Sequence, residues 1–146
     1  MPTTFHQDLQ DIAWFLRPHG QDDPCCGDLT AAEVRALSNT QPDQCPTVQD
    51  IARSLGVTRS GATRVVDRLE GRGLAHRCCS SVDRRCTCVE ITPTGQAALS
   101  DAVACFEGLL NELLAPLPPK QRTDLENSLA SLAKLIRDHQ EETRTP

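Results

Sequence analysis

Two sets of side chains in this chain could do chemistry: eight cysteines and a run of arginines. A thiolate is at once a nucleophile, a redox centre and a soft metal ligand. The cysteines are Cys25, Cys26, Cys45, Cys78, Cys79, Cys86, Cys88 and Cys105, and no two have the Cys-x-x-Cys spacing of a zinc ribbon or an iron–sulfur run. They sort by position into two groups. If the strands around residues 74–79 and 86–91 pair with Cys79 opposite Cys86, then Cys79, Cys86 and Cys88 share one face and Cys78 points to the other. Opposed β-carbons stand about 5 Å apart, close enough for two thiolates to grip one soft ion. A register change of one residue would break this set. The second group is Cys25, Cys26, Cys45 and Cys105, expected to meet where the loop before the second helix nears the long fifth helix. His19 is a further ligand candidate, against the plainer reading of an idle surface histidine.

Thiolate-rich groups favour Cu(I), Zn(II), As(III) or Hg(II). The competing chemistry is redox: a disulfide or persulfide between neighbours, assisted by arginines that lower thiol pKa. Burial as a small apolar residue is the plain alternative. It suits Cys105, which lies beside apolar positions of its helix, better than Cys25 and Cys26 in a polar turn.

The arginines are concentrated. Between Asp50 and Arg85 there are eight, against four acids, so that segment carries +4 while the rest of the −5 chain carries −9. A basic middle on an acidic body suits a surface that reads duplex nucleic acid, although a solvated helix face would show the same asymmetry.

A chain of 146 residues suits one compact domain. It holds no run of about eighteen apolar residues, so no membrane span or membrane partner is expected. Its first residues lack the basic start and apolar stretch of a secretory signal. The expected location is cytoplasmic, where thiols stay reduced and structural disulfides are not the first explanation for eight cysteines. No glycine-rich phosphate loop occurs, and serine, histidine and aspartate have no recognisable catalytic setting, so no enzyme is expected. A cysteine nucleophile served by His19 or His76 has no motif to support it. A protein that merely sequesters soft ions would have no use for the arginine-rich segment.

The elements that must position these groups follow from periodicity. Leu9, Ile12, Ala13 and Leu16 form one helical stripe, ended at Pro18-His19-Gly20. Residues Gln21 to Asp28 read as a turn-rich loop. Thr30 followed by Glu33 has capping-box spacing for a second helix with Val34 and Leu37 inward. Thr47 caps a third, carrying Val48, Ile51, Ala52 and Leu55, and Gly56 closes it. Thr58 opens a fourth, with Ala62, Val65, Val66 and Leu69 inward, Arg59, Arg64, Arg68 and Arg72 largely outward, and Gly71 and Gly73 as its stop. Two short strands, Leu74 to Cys79 and Cys86 to Ile91, flank a polar loop and form a hairpin. A long amphipathic helix runs through Leu99, Val103, Phe106, Leu109, Leu110, Leu113 and Leu114 to a break at Pro116, Pro118 and Pro119. The last helix carries Leu125, Leu129, Leu132 and Ile136, spaced as a seam for another helix.

The predicted fold is therefore mainly α with a small β-hairpin wing (α+β), in the order of a winged helix-turn-helix. A helix fits the major groove of B-DNA and its outward side chains reach bases and phosphates. The bracing helix would be Thr47 to Gly56 and the recognition helix Thr58 to Gly71. Wing residues Asp83, Arg84 and Arg85 would lie over the neighbouring minor groove. Base reading would fall to Ser60, Thr63 and Arg64, and phosphate contacts to Arg59 and Arg68. The plain alternative for each arginine is an exposed helix residue with no specific contact.

The runs Ile51-Ala52-Arg53-Ser54-Leu55-Gly56-Val57-Thr58-Arg59-Ser60, Thr63-Arg64-Val65-Val66-Asp67-Arg68-Leu69-Glu70, Gly73-Leu74, Asp83-Arg84-Arg85 and Ile91-Thr92-Pro93-Thr94-Gly95 resemble the MarR family of bacterial transcription regulators. The likeness extends over roughly Leu29 to Arg137. It implies a homodimer on a palindromic double-stranded DNA site, with residues 1–28 as N-terminal dimerisation helix and loop, 29–95 as winged domain and 96–146 as C-terminal dimerisation helices. It also implies that Asp83 braces Arg84 or Arg85 in the minor groove, and that an effector, ion or oxidant, acts at the junction of dimer and winged parts. The sequence departs from the family at Gly61, in the first turn of the recognition helix, where a larger polar residue is usual.

Overall fold

In the computed structural model, residues 4–15, 24–26, 28–40, 45–79 and 87–142 are described. The elements are α1 (Phe5–Phe15), β1 (Pro24–Cys26), β2 (Leu29–Thr30), α2 (Ala31–Ser38), α3 (Val48–Leu55), α4 (Arg59–Gly71), β3 (Ala75–Cys79), β4 (Thr87–Ile91), α5 (Pro93–Leu114) and α6 (Pro119–Glu142). The chain divides into two compact units, Met1–Phe106 and Glu107–Pro146.

Threonines start the three middle helices. The Thr30 hydroxyl accepts from Glu33 N at 3.2 Å while the Glu33 carboxylate accepts from Thr30 N at 2.9 Å, the reciprocal box that satisfies two orphan donors. Thr47 and Asp50 repeat it at α3, and the Thr58 hydroxyl accepts from Gly61 N at α4. Gly56 closes α3 at φ +68°, a conformation that costs glycine least. The tight turn lets α4 follow α3 at once.

The core of the first unit lies where α2, α3, α4, the hairpin and the start of α5 converge. Leu37, Ile51, Ala62, Val66, Leu69 and Val89 are completely buried there. The inward set expected on α4 is buried as a whole. Two-stranded ribbons complete the unit. Pairing of β1 with β2 places a short antiparallel ribbon where the sequence reads as loop; strands of two or three residues are too short to show an alternating pattern.

The hairpin corrects a second expectation. Cys78 pairs with Cys88 and Cys79 with Thr87, one residue away from the register that set Cys79 opposite Cys86. Because side chains alternate, the slip exchanges faces. Cys88 now shares its face with Cys78, and Cys79 lies on the opposite one. The physical reason is the core: Ala75, Val89 and Ile91 must all face inward, and only the observed ladder puts them on one side.

In the second unit, α6 folds back after the turn at residues 115–118, and Arg122 joins Asn111 and, at 3.0 Å, Glu126. Leu109, Leu113, Leu129, Leu135 and Ile136 are exposed there. In the first unit α1 buries none of its residues, leaving Phe5, Ile12, Trp14 and Phe15 exposed. Among the described residues, no helix is long and apolar enough to cross a membrane.

Gly61 has no steric reason to be glycine. A Cβ there would meet Thr58 Oγ1 and Val57 Cβ at 3.4 Å, an ordinary van der Waals distance. Gly61→Ala is therefore expected to stabilise the protein by about 0.5–1 kcal/mol through helix propensity, read as a higher denaturation midpoint with unchanged slope. A lower midpoint would show that the first turn of α4 needs glycine.

Candidate nucleic-acid interface and adjoining thiol cluster

Eight arginines between residues 50 and 85 give the middle of the chain its charge, and the fold assigns the six described ones different work. Arg53 bonds Asp50 within α3 at 3.0 Å. Arg72 reaches the carbonyl of Asp28 at 3.0 Å and the buried carboxylate of Glu33 at 3.4 Å, and Arg68 Nε lies 3.6 Å from the same carboxylate. Glu33, with only 3% of its side chain exposed, thus holds the end of α4 to the start of α2. Burying a carboxylate is tolerable only with such partners.

Arg77 of β3 bonds Glu70 and, at 2.8 Å, Asp67, both on α4. Burial works against its charge, but the Asp67 and Glu70 carboxylates outweigh that and raise its pKa further above the ordinary guanidinium value. The wing strand is thereby fastened to α4. At α3, the Thr47 hydroxyl and N–H donate to Asp50 and, with Arg53 nearby, hold that carboxyl below its ordinary pKa.

Arg59 and Arg64 are exposed on α4, and neither has an ion-pair partner among the described residues. Ser60 is exposed beside them, its hydroxyl 3.0 Å from that of Thr58. Thr63 is half-buried and donates its hydroxyl to the Arg59 carbonyl at 2.9 Å, which leaves its oxygen able to accept. Arg59 and Thr63 line an open groove of about 560 Å³ together with Thr47, Val48 and Gln49 from the start of α3 and Arg77 and Thr87 from the wing. Of the expected phosphate contacts, Arg59 is free to act outward, whereas Arg68 already has Glu33. Asp83, Arg84 and Arg85 lie outside the described residues, as do Cys86 and His19.

The cysteines regroup. The Sγ atoms of Cys45 and Cys78 and a carboxylate oxygen of Glu90 all lie within 4.8 Å of one another. The sequence alone groups Cys45 with Cys25, Cys26 and Cys105 and leaves Cys78 in no set. The observed cluster brings the first to the second because the segment before α3 crosses the hairpin: Val89 N donates to the Pro46 carbonyl at 2.9 Å, and Thr47 bridges Cys88. Cys45 has left-handed backbone, φ +38°, a region that residues with a Cβ rarely adopt. His76 Nε2 stands 3.5 Å from Glu90, its cross-strand partner. Burial first, then the neighbouring Glu90, pushes the Cys78 thiol up. Cys88 is buried, whereas Cys79 and Cys105 are exposed. Cys25 and Cys26 fall in β1. Glu90 could not be found by cysteine spacing, since its membership depends on the register alone.

Comparisons with known proteins find similarity at three levels: a family model, a curated sequence and solved structures. Residues 29–87 match the model of the MarR family. The chain is 28% identical over 118 residues to the transcriptional repressor MprA of Escherichia coli K12, covering 81% of this chain and 64% of that protein. It therefore spans 64% of the length of that relative. Among solved structures, the transcriptional regulator BldR of Sulfolobus solfataricus superposes with a TM-score of 0.69 at 28% identity, over 91% of this chain and 94% of that one. The DNA complex of MepR from Staphylococcus aureus gives 0.68 at 17% identity, over 91% and 98%, which speaks to the fold alone.

Proposed function

We propose that this chain is a cytoplasmic transcription regulator of the MarR type and not an enzyme: a homodimeric repressor that binds a palindromic duplex through α4 and its wing, a reading supported by the MarR-family match over residues 29–87. The carrying observation is the division among the arginines. Arg68, Arg72 and Arg77 are tied to carboxylates of the chain, while Arg59 and Arg64 stand outward on one helix beside Ser60 and Thr63. Side chains so placed can enter a major groove, with Arg64, Ser60 and Thr63 toward base edges and Arg59 toward phosphates. Asp83, Arg84 and Arg85 take the minor-groove role that the family resemblance gives them. The similarity to MprA, a transcriptional repressor, supports this reading, and the fold is one that in MepR has been solved on DNA.

A dimer accounts for the uncovered apolar residues of α1 and, separately, of α6. Exposed leucines and aromatics of this kind are costly on a lone chain and normal at an interface. Two-fold symmetry in the protein then calls for two-fold symmetry in the operator.

DNA affinity in this proposal is switched by a soft metal or metalloid, Cu(I), Zn(II), As(III) or Hg(II), bound at cysteines, and such an ion shifts affinity only by binding one state better. The exposed thiols Cys79 and Cys105 favour a second reading, redox sensing. There, two thiols give two electrons and two protons to hydrogen peroxide, forming a disulfide and two waters.

Selection of bound duplexes from a random pool tests the DNA reading; a palindromic consensus is expected, and no enrichment would refute it. On the selected duplex, Arg59→Ala should weaken binding to all sequences alike. It should also lower the slope of log K against log salt by about 0.9 for each phosphate that Arg59 neutralises. An unchanged slope would remove Arg59 from the backbone-binding set.

A further inference from the structure

We infer that Cys45, Cys78 and Glu90 form a zinc(II)-class metal site that ties the root of the wing to the segment launching α3. This rests on the reading of the chain as a metal-responsive DNA binder and names the site of that response.

Three observations carry it. The two sulfurs and one carboxylate oxygen come from three separate chain segments, yet all lie within 4.8 Å of one another. Around tetrahedral zinc, with bonds of about 2.3 Å to sulfur, ligand sulfurs stand roughly 3.8 Å apart, so closure needs side-chain movement of about an ångström and no change of fold. Cys45 holds left-handed backbone at φ +38°, which a residue with a Cβ adopts only where its surroundings require it. His76 Nε2, at 3.5 Å from the Glu90 carboxylate across the ladder, is close enough to steady it, as outer partners do for metal ligands.

The donor set selects the metal. Two thiolates with one carboxylate suit zinc(II), a borderline ion that accepts both sulfur and oxygen, whereas Cu(I) prefers sulfur throughout. On binding, each thiol releases its proton to solvent as its sulfur–metal bond forms, and no electron moves. The fourth position falls to Cys88, directly across from Cys78 in the ladder, or to water.

The consequence reaches the DNA-facing helix. Cys45 lies three residues before α3, Cys78 and Glu90 lie on β3 and β4, and Arg77 of β3 is bonded to Asp67 and Glu70 on α4. A metal here would lock the wing to both helices of the reading head.

The test is titration of the reduced full-length protein with Co(II) and then Zn(II), following the thiolate-to-cobalt absorption and its displacement. One metal per chain is expected. Cys45→Ser and Cys78→Ser should each lose about 100-fold or more in affinity, Glu90→Gln about 10–100-fold, and the Cys25→Ser/Cys26→Ser pair and Cys105→Ser nothing. The absorption intensity counts the sulfurs and decides whether Cys88 takes part. No tight binding by the native chain, or binding that survives Cys45→Ser and Cys78→Ser but not the Cys25/Cys26 pair, would overturn the site. Duplex binding by the metal-free variants is measured in parallel. If it is intact while metal binding by the native chain is absent, the site fails and the DNA reading stands; if the native chain binds no duplex with or without metal, the DNA reading itself fails.

Discussion

Arg64→Ala is expected to weaken binding to the selected duplex by about 10–100-fold for each half-site, and so by about 10²–10⁴-fold for a dimer engaging two. The magnitude follows from what a guanidinium does in a major groove. A bidentate bond to a base edge is worth about 1–3 kcal/mol, and each copy of α4 contributes one. Arg64 is exposed and has no ion-pair partner among the described residues, so its removal takes nothing from the fold. Thermal unfolding should be unchanged while fluorescence anisotropy of a labelled duplex shows the weaker binding. The effect should also concentrate on the consensus sequence, because base readout, unlike phosphate binding, distinguishes sequences. Affinity within about twofold of the native protein would mean that α4 does not enter the groove by this face.

Gly95→Ala is expected to destabilise the protein by about 3 kcal/mol, toward the upper end for overpacked sites, and to lower the melting temperature by about 10 °C. Gly95 lies in the first turn of α5, where Thr92 caps the helix by accepting from Gly95 N at 3.0 Å. A Cβ there would overlap the Leu74 carbonyl oxygen and stand 2.9 Å from Ile91 Cγ1. Neither can yield cheaply. The Leu74 carbonyl accepts from Thr92 N at 3.0 Å, Leu74 N donates to the Leu69 carbonyl at 2.8 Å, and Ile91 belongs to the core. The methyl group must push α5 away from the joint between α4 and β3. A melting temperature within about 2 °C of the native value would show that the joint can open freely.

Gly61 and Gly95 make an instructive pair, since the same substitution in the first turn of two helices is expected to have opposite signs. Helix propensity alone favours alanine at both positions by about 1 kcal/mol. The sequence singles out Gly61 as a departure from a family pattern and places Gly95 within one, but it contains no distance from Gly95 to Leu74. That close backbone approach spans twenty-one positions of chain, beyond the reach of any local rule.

The same division runs through the candidate site. Thr30 with Glu33, Thr47 with its following turn, Gly56 and the inward faces of α3 and α4 were all legible, because caps and helical periodicity act within four residues. From these came the order of a winged helix-turn-helix and the outward placement of Arg59 and Arg64. The charge count, by contrast, treated all the arginines alike. Arg72 meets Glu33 across thirty-nine positions and Arg77 reaches back to α4, so which cations are spent inside the chain could not be counted from composition.

The cysteines show the boundary most plainly. Their number and the absence of a local metal motif are properties of the sequence, and together they point to a soft-ligand site assembled from distant segments. Their grouping was a matter of register, and a shift of one residue exchanged every partner in the hairpin. What set that register was the demand that Ala75, Val89 and Ile91 share the buried side, a long-range packing constraint that outweighs any preference of the thiols. Local sequence determined which elements exist and which faces they bury. Only tertiary packing decided that Cys45, Cys78 and Glu90 would stand together, because closing three distant segments onto one point is settled by the core they share and not by their spacing.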